Sequence, residues 1–177
     1  MIVRADALEN RTVKEEIEWG KVYAEQLPRV YNFFRYRVGD GQSAEDLTAT
    51  TFEKAWRSRQ RYRRDLGAFS TWLFAIARNT ATDHLRKQRP KVALDNILGK
   101  TSDESLEEIA QIHSDFERLD DLLARLPARE RELIALKYGA DLTNRQIAKL
   151  AGLSESNVGT ILHRVVQRLR GDWEEIR

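Results

Sequence analysis

The chain has 177 residues, of which 41% are hydrophobic and 33% charged, and its formal net charge is +2. This composition is typical of a globular protein with one domain or two small ones. The chain contains no cysteine, which excludes disulfides and thiolate metal sites and suits a reducing cytoplasm. Because it has no long apolar run and no signal-peptide pattern at its start, we expect a cytoplasmic protein with no direct membrane insertion.

Helical spacing of apolar residues recurs along the chain, and no stretch shows sustained two-residue alternation. The sequence therefore predicts an all-α fold of two small helical domains joined by a flexible linker. We place the first domain at 10–89 and the second at 115–177. The linker, 90–114, is rich in turn-forming residues and poor in apolar periodicity, although a short helix is expected near 105–110.

The first domain contains two expected helix starts. Pro28 is predicted to open a helix, because its ring presets φ and its missing N–H costs nothing in a first turn. The segment Ser43–Asp46 resembles a capping box, which predicts a helix beginning there. Farther along that helix, Leu47, Phe52 and Trp56 have the spacing of core-facing residues.

An arginine-rich segment follows that helix. Five arginines occur within the eight positions Arg57–Arg64, and Phe69 and Trp72 lie just downstream. A solvated surface loop is one interpretation. The other is a loop that faces nucleic acid, because aromatic rings beside arginines provide surfaces on which single-stranded bases stack.

The next predicted helix runs from Ser70 to Gln88 and is expected to stop at Pro90. One face of this helix is wholly polar, and it is either an ordinary solvated face or a surface that reads DNA. That face comprises Asn79, Thr82, Asp83 and Arg86.

The second domain shows the pattern of a helix-turn-helix. Pro127 is predicted to start a helix that ends near Gly139, with this glycine as its C′ residue. Thr143 and Gln146 fit a capping box for the next helix, and Gly152 suits the left-handed conformation of a turn. After this turn comes the candidate recognition helix.

We expect the recognition helix to carry the base and phosphate contacts of the second domain, since such helices place polar residues at base edges. His163 has no second histidine or cysteine at metal-ligand spacing, so no metal site is predicted. The candidate contacts to duplex DNA are Ser154, Ser156, Asn157, Thr160, His163, Arg164 and Arg168.

Taken in order, four blocks of this sequence resemble the extracytoplasmic-function sigma factors, the small promoter-specificity subunits of bacterial RNA polymerase. The resemblance covers residues 20–89 and 115–172. The blocks are Ala-Glu-Asp-Leu at 44–47 with Phe52 and Ala55-Trp56; Phe-Ser-Thr-Trp-Leu-Phe-Ala-Ile-Ala-Arg-Asn-Thr-Ala-Thr-Asp-His-Leu-Arg at 69–86; Leu126-Pro127 with Glu130-Arg131; and Gln146-Ile-Ala through His163-Arg164 to Arg168-Leu-Arg.

The resemblance implies that the first domain binds the polymerase core and recognises and melts the −10 element, while the second reads the −35 element as duplex. It also implies an anti-sigma factor as regulator. No cofactor is implied. Contacts to the polymerase core are expected from Asp46, Leu47, Thr51 and Phe52. Contacts to the −10 element are expected from Arg61, Tyr62, Arg63, Arg64, Phe69, Ser70, Thr71, Trp72, Asn79, Thr82, Asp83 and Arg86.

The sequence departs from the family pattern at two places. Ala49-Thr50 replaces a Gln-Glu pair typical of the family, and Gly159, Ile161 and Val166 stand where the family often has basic residues. The family's polymerase contacts at the first place and its DNA contacts at the second are therefore not carried over to this chain. An unusual −35 sequence is expected instead, or a shift of contacts onto Asn157, Thr160 and Arg164.

Two other classes of function are weighed against the resemblance. A dimeric operator-binding regulator with a ligand-sensing first domain accounts for the helix-turn-helix but not for the arginine-rich segment or the polar face. An enzyme is disfavoured, because the sequence shows no nucleophile–base arrangement and no glycine-rich phosphate loop. We therefore expect a protein that is not an enzyme.

Overall fold

The structure is a computed structural model that describes residues 18–88 and 108–175. Pro90, the start of the chain and most of the predicted linker lie outside these residues. The described part is helical and contains no strand, which confirms the predicted all-α class. Its helices are α1 (Trp19–Val38), α2 (Gly41–Arg57), α3 (Phe69–Gln88), α4 (Glu108–Ala124), α5 (Ala128–Ile134), α6 (Asn144–Ala151) and α7 (Glu155–Glu175), with a 3₁₀ turn at Arg59–Arg61 and a π-helical turn at Ala135–Gly139.

The first three helices pack around a core of aromatic and small apolar residues. Phe33 and Phe34 of α1 and Phe74 of α3 are fully buried, and the rings of Phe33 and Phe74 lie 5.8 Å apart nearly at right angles. Leu47 and Ala55 of α2 close the core from the third side. This core fixes the directions in which α2 and α3 leave it, and with them the ends of the arginine-rich segment.

Two expected helix starts in this domain are wrong. Pro28 lies inside α1 rather than at its beginning. Both Pro28 and Ala24 are exposed, so the carbonyl group that loses its helical donor at this point can be hydrated, which lowers the cost of an interior proline. Helix α2 begins at Gly41 rather than Ser43, because Asp40 is the N-cap and its side chain accepts a hydrogen bond from the Ser43 backbone N–H at 2.7 Å.

The predicted helix-turn-helix is confirmed. Thr143 and Gln146 form a reciprocal capping box at the start of α6, and Gly152 ends that helix with φ of 66° in the left-handed region. The Ser154 hydroxyl accepts a hydrogen bond from the Asn157 backbone N–H at 3.2 Å, which caps α7. Helix α7 buries Val158, Leu162 and Val165 against the rest of the domain.

Gly139 does not have the predicted role of a left-handed C′ residue. The helix that begins at Ala128 continues through the π-helical turn, and the residue with positive φ is Asp141 at 51°. Gly139 instead lies against α1, where a Cβ atom on it would stand 2.8 Å from the Asn32 carbonyl oxygen. The absence of a side chain therefore lets the backbones of the two domains meet.

The two domains are joined by one continuous hydrophobic core in this conformation. The π-helical turn and α5 pack on α1, and α6 packs on α3. Helix α4 begins at Glu108, within the range predicted as linker, so part of that range is helical. None of the described helices has the length and apolar character that a bilayer crossing requires.

Candidate nucleic-acid interface

The arginine-rich segment is closed into a loop by one tyrosine. The Tyr62 hydroxyl donates to the Gly67 carbonyl at 3.1 Å. The Tyr62 ring lies 5.3 Å from the Phe69 ring and 5.4 Å from the Trp72 ring. Aromatic packing and this hydrogen bond therefore hold the shape of the loop, while most of its arginines point to solvent.

Several of these arginines already have partners within the chain. Arg63 makes a two-pronged contact with the Asp65 carboxylate at 2.9 and 2.7 Å, and this hydrogen bonding holds the pKa of Asp65 below its ordinary value. Arg57 pairs with Glu53 at 2.6 Å. Because all these groups are exposed, such pairs are weak and a phosphate can displace the carboxylates.

The aromatic residues around the loop form a cluster that includes a member from α1. Trp19, the first residue of α1, lies 5.8 Å from Phe69 and 5.2 Å from Trp56. Trp19 belongs to no motif in the sequence and no prediction included it. We use the name aromatic cluster for Trp19, Trp56, Tyr62, Phe69 and Trp72.

Trp56 differs from its prediction as a core residue. Its side chain is 48% exposed, and the Arg59 guanidinium lies over its ring at 4.1 Å from the centroid. The neighbouring Ala55 is fully buried, whereas the ring contacts of Trp56 are Trp19 and the Arg59 guanidinium, so much of its indole stays open to solvent. An exposed indole stacked with an arginine is a surface suited to base stacking.

The predicted polar face of α3 is present on the surface. Asn79, Thr82 and Arg86 are exposed, and Arg86 pairs with Asp83 at 3.1 Å. At the start of α3, Thr71 is half-buried, whereas Ser70 accepts a hydrogen bond from Gln146 of α6 at 3.1 Å. Ser70 is thus engaged by the second domain in this conformation.

The four residues predicted to contact the polymerase core differ in accessibility. Leu47, Thr51 and Phe52 are buried in the first domain, and the Thr51 hydroxyl donates to the Leu47 carbonyl at 2.8 Å. Asp46 is exposed. Of this set, only the Asp46 side chain is open to a partner in the conformation described, and its role as a contact stays a prediction.

The predicted −35 face of α7 is open. Ser154, Ser156, Asn157, Thr160 and His163 are all exposed. This face lies at the N-terminal half of α7, as expected for the recognition helix of a helix-turn-helix. The structure thus brings the predicted polar residues together on one surface.

The two predicted arginines of α7 share one carboxylate. Arg164 lies 3.5 Å from the Glu130 carboxylate, and Arg168 donates a hydrogen bond to it. Both arginines are substantially exposed, at 66% and 42%, so a phosphate can reach them from the solvent side. Gly159, where the family often has a basic residue, lies beside Asn144. A Cβ atom on Gly159 would be 3.5 Å from the Asn144 amide nitrogen, so there is space for it.

The contact between the domains uses charged side chains from both. Arg29 of α1 donates to the carbonyl groups of Ala140 and Asp141, at 2.9 and 3.1 Å. Arg78 of α3 donates to the Glu132 carboxylate at 2.8 Å and also to the Leu150 carbonyl. The bonds from Arg78 join helix α3, which carries the predicted −10 face, to α5 and to the first helix of the helix-turn-helix.

Three further arginines are partly buried at this contact. Arg131 donates to the Tyr36 carbonyl at 2.8 Å, and Arg35 pairs with Asp120 at 2.8 Å. Burial lowers the pKa of Arg131 and of Arg37, because a charged guanidinium loses hydration there. Burial likewise raises the pKa of the Asp120 carboxyl, against the opposing effect of Arg35. Desolvation therefore offsets part of what the ion pairs contribute to this contact.

Comparisons with known proteins agree with this architecture. The sigma-70 region 2 family matches residues 22–91, and the sigma-70 region 4 family matches residues 116–169. The RNA polymerase sigma factor CarQ of Myxococcus xanthus is 32% identical over 152 residues, which are 84% of this chain and 85% of CarQ. This chain belongs to the extracytoplasmic-function sigma factors.

Other relatives are consistent with that membership. The extracytoplasmic-function sigma factor RpoE of Cereibacter sphaeroides is 26% identical over 160 residues, covering 90% of this chain and 88% of the relative. The solved structure of the sigma factor RpoE from Bartonella quintana, in complex with the anti-sigma factor NepR, superposes with a TM-score of 0.68. It is 20% identical and covers 90% of this chain and 98% of that one, so it shows the shared fold.

Family membership confirms the function expected from the sequence. The protein is a transcription initiation factor that gives RNA polymerase its promoter specificity, and its partners are the polymerase and promoter DNA. The dimeric regulator considered as an alternative is set aside, since the sigma-70 region 2 match covers the domain assigned there to ligand sensing.

Proposed function

We propose that this sigma factor recognises its promoter through two separate faces and that the two domains must move apart for it to do so. The proposed domains are 10–89 for the polymerase core and the −10 element, and 115–177 for the −35 element, with 90–114 as the linker between them. The observation that carries the proposal is the direct contact between these domains in the conformation described.

The −10 face comprises the arginine-rich segment, the residues around Trp72 and the polar face of α3. The exposed arginines attract phosphates, and the partly exposed aromatic rings offer stacking surfaces to separated bases. Base–aromatic stacking contributes about 1–3 kcal/mol per base, which is comparable with the cost of taking a base out of a duplex. This balance supports melting and recognition at the same site.

The −35 face comprises the exposed N-terminal half of α7. In this proposal the exposed Asn157 and Thr160 meet base edges in the major groove, and the exposed Arg164 and Arg168 meet phosphates. Glu130 competes with phosphate for both arginines, so binding exchanges one anionic partner for another.

The domains must separate because the two promoter elements lie farther apart than the centres of the two contacting domains. The centres of the two promoter elements lie about 25 base pairs apart, or roughly 85 Å along B-form DNA. Two contacting domains of about 70 residues each, with radii of gyration near 11 Å, place their centres only about 30 Å apart. The closed conformation therefore does not span both elements, and opening through the linker is required.

An anti-sigma factor is the proposed regulator of this opening, and the cytoplasm the proposed place of action. The similar structure from Bartonella quintana is a sigma factor bound to an anti-sigma factor, and the likeness extends over both domains of this chain. A protein that binds across the interdomain contact would hold the closed conformation and prevent initiation. In this proposal the chain acts by binding and has no catalytic activity of its own.

In vitro transcription with core polymerase on genomic fragments tests the proposal. The wild-type protein is expected to select a set of promoters that share two elements. Arg164→Ala should weaken binding to the upstream element, and the double change Arg61→Ala with Arg64→Ala should slow opening of the downstream one. Gln167→Ala, an exposed neighbour on α7 outside the predicted set, is the matched control. If transcription survives both arginine changes at control level, the assigned DNA faces are wrong.

A further inference from the structure

Trp19 is joined to the proposed −10 site from a distant part of the chain. Its ring meets Phe69 at 79° and Trp56 at 82°, with centroids 5.8 and 5.2 Å away. Both are edge-to-face arrangements, which are favourable for aromatic rings because the positive edge of one meets the negative face of the other. Trp19 thereby connects the start of α1 to the end of α2 and the start of α3.

Phe69 is the centre of the aromatic cluster. It contacts Trp19, Tyr62 and Trp72, with centroids between 5.3 and 5.8 Å away. Tyr62 belongs to the loop, whereas Phe69 and Trp72 lie in the first turn of α3, which the fully buried Leu73 and Phe74 anchor in the core. Trp19 belongs to α1, which is anchored in the core through the buried Val30, Phe33 and Phe34.

Trp19 therefore adds a contact from α1 to the two rings that flank the loop, Trp56 near the end of α2 and Phe69 at the start of α3. Removal of this ring would leave Phe69 without its contact from α1 and Trp56 without its edge-to-face partner. The rings of Phe69 and Trp56, which flank the loop, could then adopt several orientations, with the hydrogen bond from Tyr62 to Gly67 intact. A base pocket with several positions binds different bases with more similar affinity, because selectivity depends on fixed geometry.

We propose that Trp19 is a positioning residue for the −10 loop and sets how strictly the factor selects bases in the −10 element. The inference rests on the proposed function, in which the loop and the residues around Trp72 meet the separated strand. Each edge-to-face pair contributes about a two- to tenfold factor to an equilibrium, so loss of two pairs is expected to reduce base preference about tenfold.

The test is in vitro transcription from a library of promoter templates randomised in the −10 element, with sequencing of the transcripts. Base preference is the ratio of transcripts from different templates within one reaction. A lower fraction of folded protein reduces the total amount of transcript but leaves this ratio unchanged. Trp19→Ala is expected to lower the preference about tenfold at one or more −10 positions. Trp19→Phe, which keeps a ring edge, is expected to retain it within about twofold.

Two further variants control for folding and for loss of any tryptophan. Trp19→Leu keeps apolar volume but has no ring edge, so it is expected to lose preference as Trp19→Ala does and replaces that variant if alanine prevents folding. Trp173→Ala removes an indole from α7, which contacts Arg118 rather than the loop, and should leave the preference unchanged.

The possible outcomes separate the two proposals. Full wild-type preference in both Trp19→Ala and Trp19→Leu, whatever their total activity, overturns the role of Trp19. Wild-type protein without any base preference in the randomised element overturns the proposed −10 function and this inference with it. Loss of base preference in Trp19→Ala and Trp19→Leu, with the preference retained in Trp19→Phe and Trp173→Ala, supports both the proposed −10 function and the role of Trp19.

Discussion

Gly139 of the second domain lies against Asn32 of the first so closely that a Cβ atom on the glycine would be 2.8 Å from the Asn32 carbonyl oxygen. The same atom would be 2.9 Å from the Phe33 Cα. Both neighbours belong to the backbone of α1, which cannot move aside without shifting a helix anchored in the core. The contact between the domains at this point therefore depends on the absence of one methyl group.

Gly139→Ala is predicted to weaken the closed conformation. Overpacking of this kind costs about 1–3 kcal/mol, and separation of the domains relieves it. X-ray scattering should show a larger radius of gyration for the variant than for the wild type. Gly171→Ala is the matched control, because Gly171 lies within α7 and has no atom within 4 Å of its Cβ position. An unchanged radius for Gly139→Ala would contradict the prediction.

Arg78→Ala is predicted to weaken the same contact between the domains, because it removes one partner of a partly buried ion pair. Arg78 and Glu132 are 22% and 10% exposed at their side chains, and removal of one partner leaves the other poorly hydrated. We expect a loss of about 3 kcal/mol in the unfolding free energy measured with urea. Arg86→Ala, on the same helix but in an exposed pair, should change it by less than about 1 kcal/mol. Equal effects of the two changes would show that the Arg78–Glu132 pair does not stabilise the contact.

Asp120 gives a prediction about pH. Burial raises the pKa of this carboxyl and Arg35 opposes the shift. Because the folded-state pKa lies above the unfolded one, the contribution of this group is fully present below the unfolded pKa and falls as pH rises through the folded pKa. Asp120→Asn should flatten the fall in unfolding free energy that begins near the ordinary aspartate pKa of about 3.9.

Urea unfolding at several pH values from about 4 to about 7 measures this effect. Glu117→Gln, at an exposed position on the same helix, is the control and should retain the wild-type slope. A variant at Asp120 whose stability falls more steeply with pH than that of the wild type would reverse the sign of the prediction.

Gly159→Ala is predicted to stabilise the second domain. The added Cβ would meet the Asn144 amide nitrogen at 3.5 Å, an ordinary van der Waals distance. Alanine in a helix interior is about 1 kcal/mol more favourable than glycine, so the midpoint of thermal unfolding should rise. A fall in the midpoint would mean that the Asn144 contact tolerates no added atom.

Local features of the fold were predictable from the sequence, and distant contacts were not. The capping box of Thr143 and Gln146 and the left-handed Gly152 depend on neighbouring residues, so their signals lie within a few positions. The start of α2 was misplaced because Asp40 and Ser43 both suit a cap, and only the backbone geometry distinguishes them. Pro28 was misplaced because exposure of Ala24, which no local pattern reveals, makes an interior proline tolerable.

The same distinction holds for the candidate sites. The polar face of α3 and the exposed face of α7 follow from helical periodicity, so their members were predictable as groups. Trp19 joins the aromatic cluster from 50 positions before Phe69, and Arg78 meets Glu132 from 54 positions away. No pattern within one helix encodes such pairs, because they depend on how the helices pack.

The distance between the two domains tests the central claim most directly. The chain has no native cysteine, so Glu25→Cys and Gln167→Cys, both at exposed positions, give one labelled pair across the domains. Spin-label distances should be short and narrowly distributed in the free protein and longer by several tens of ångströms in the complex with core polymerase on promoter DNA. The same short distance in that complex, with active transcription, would contradict the requirement for opening.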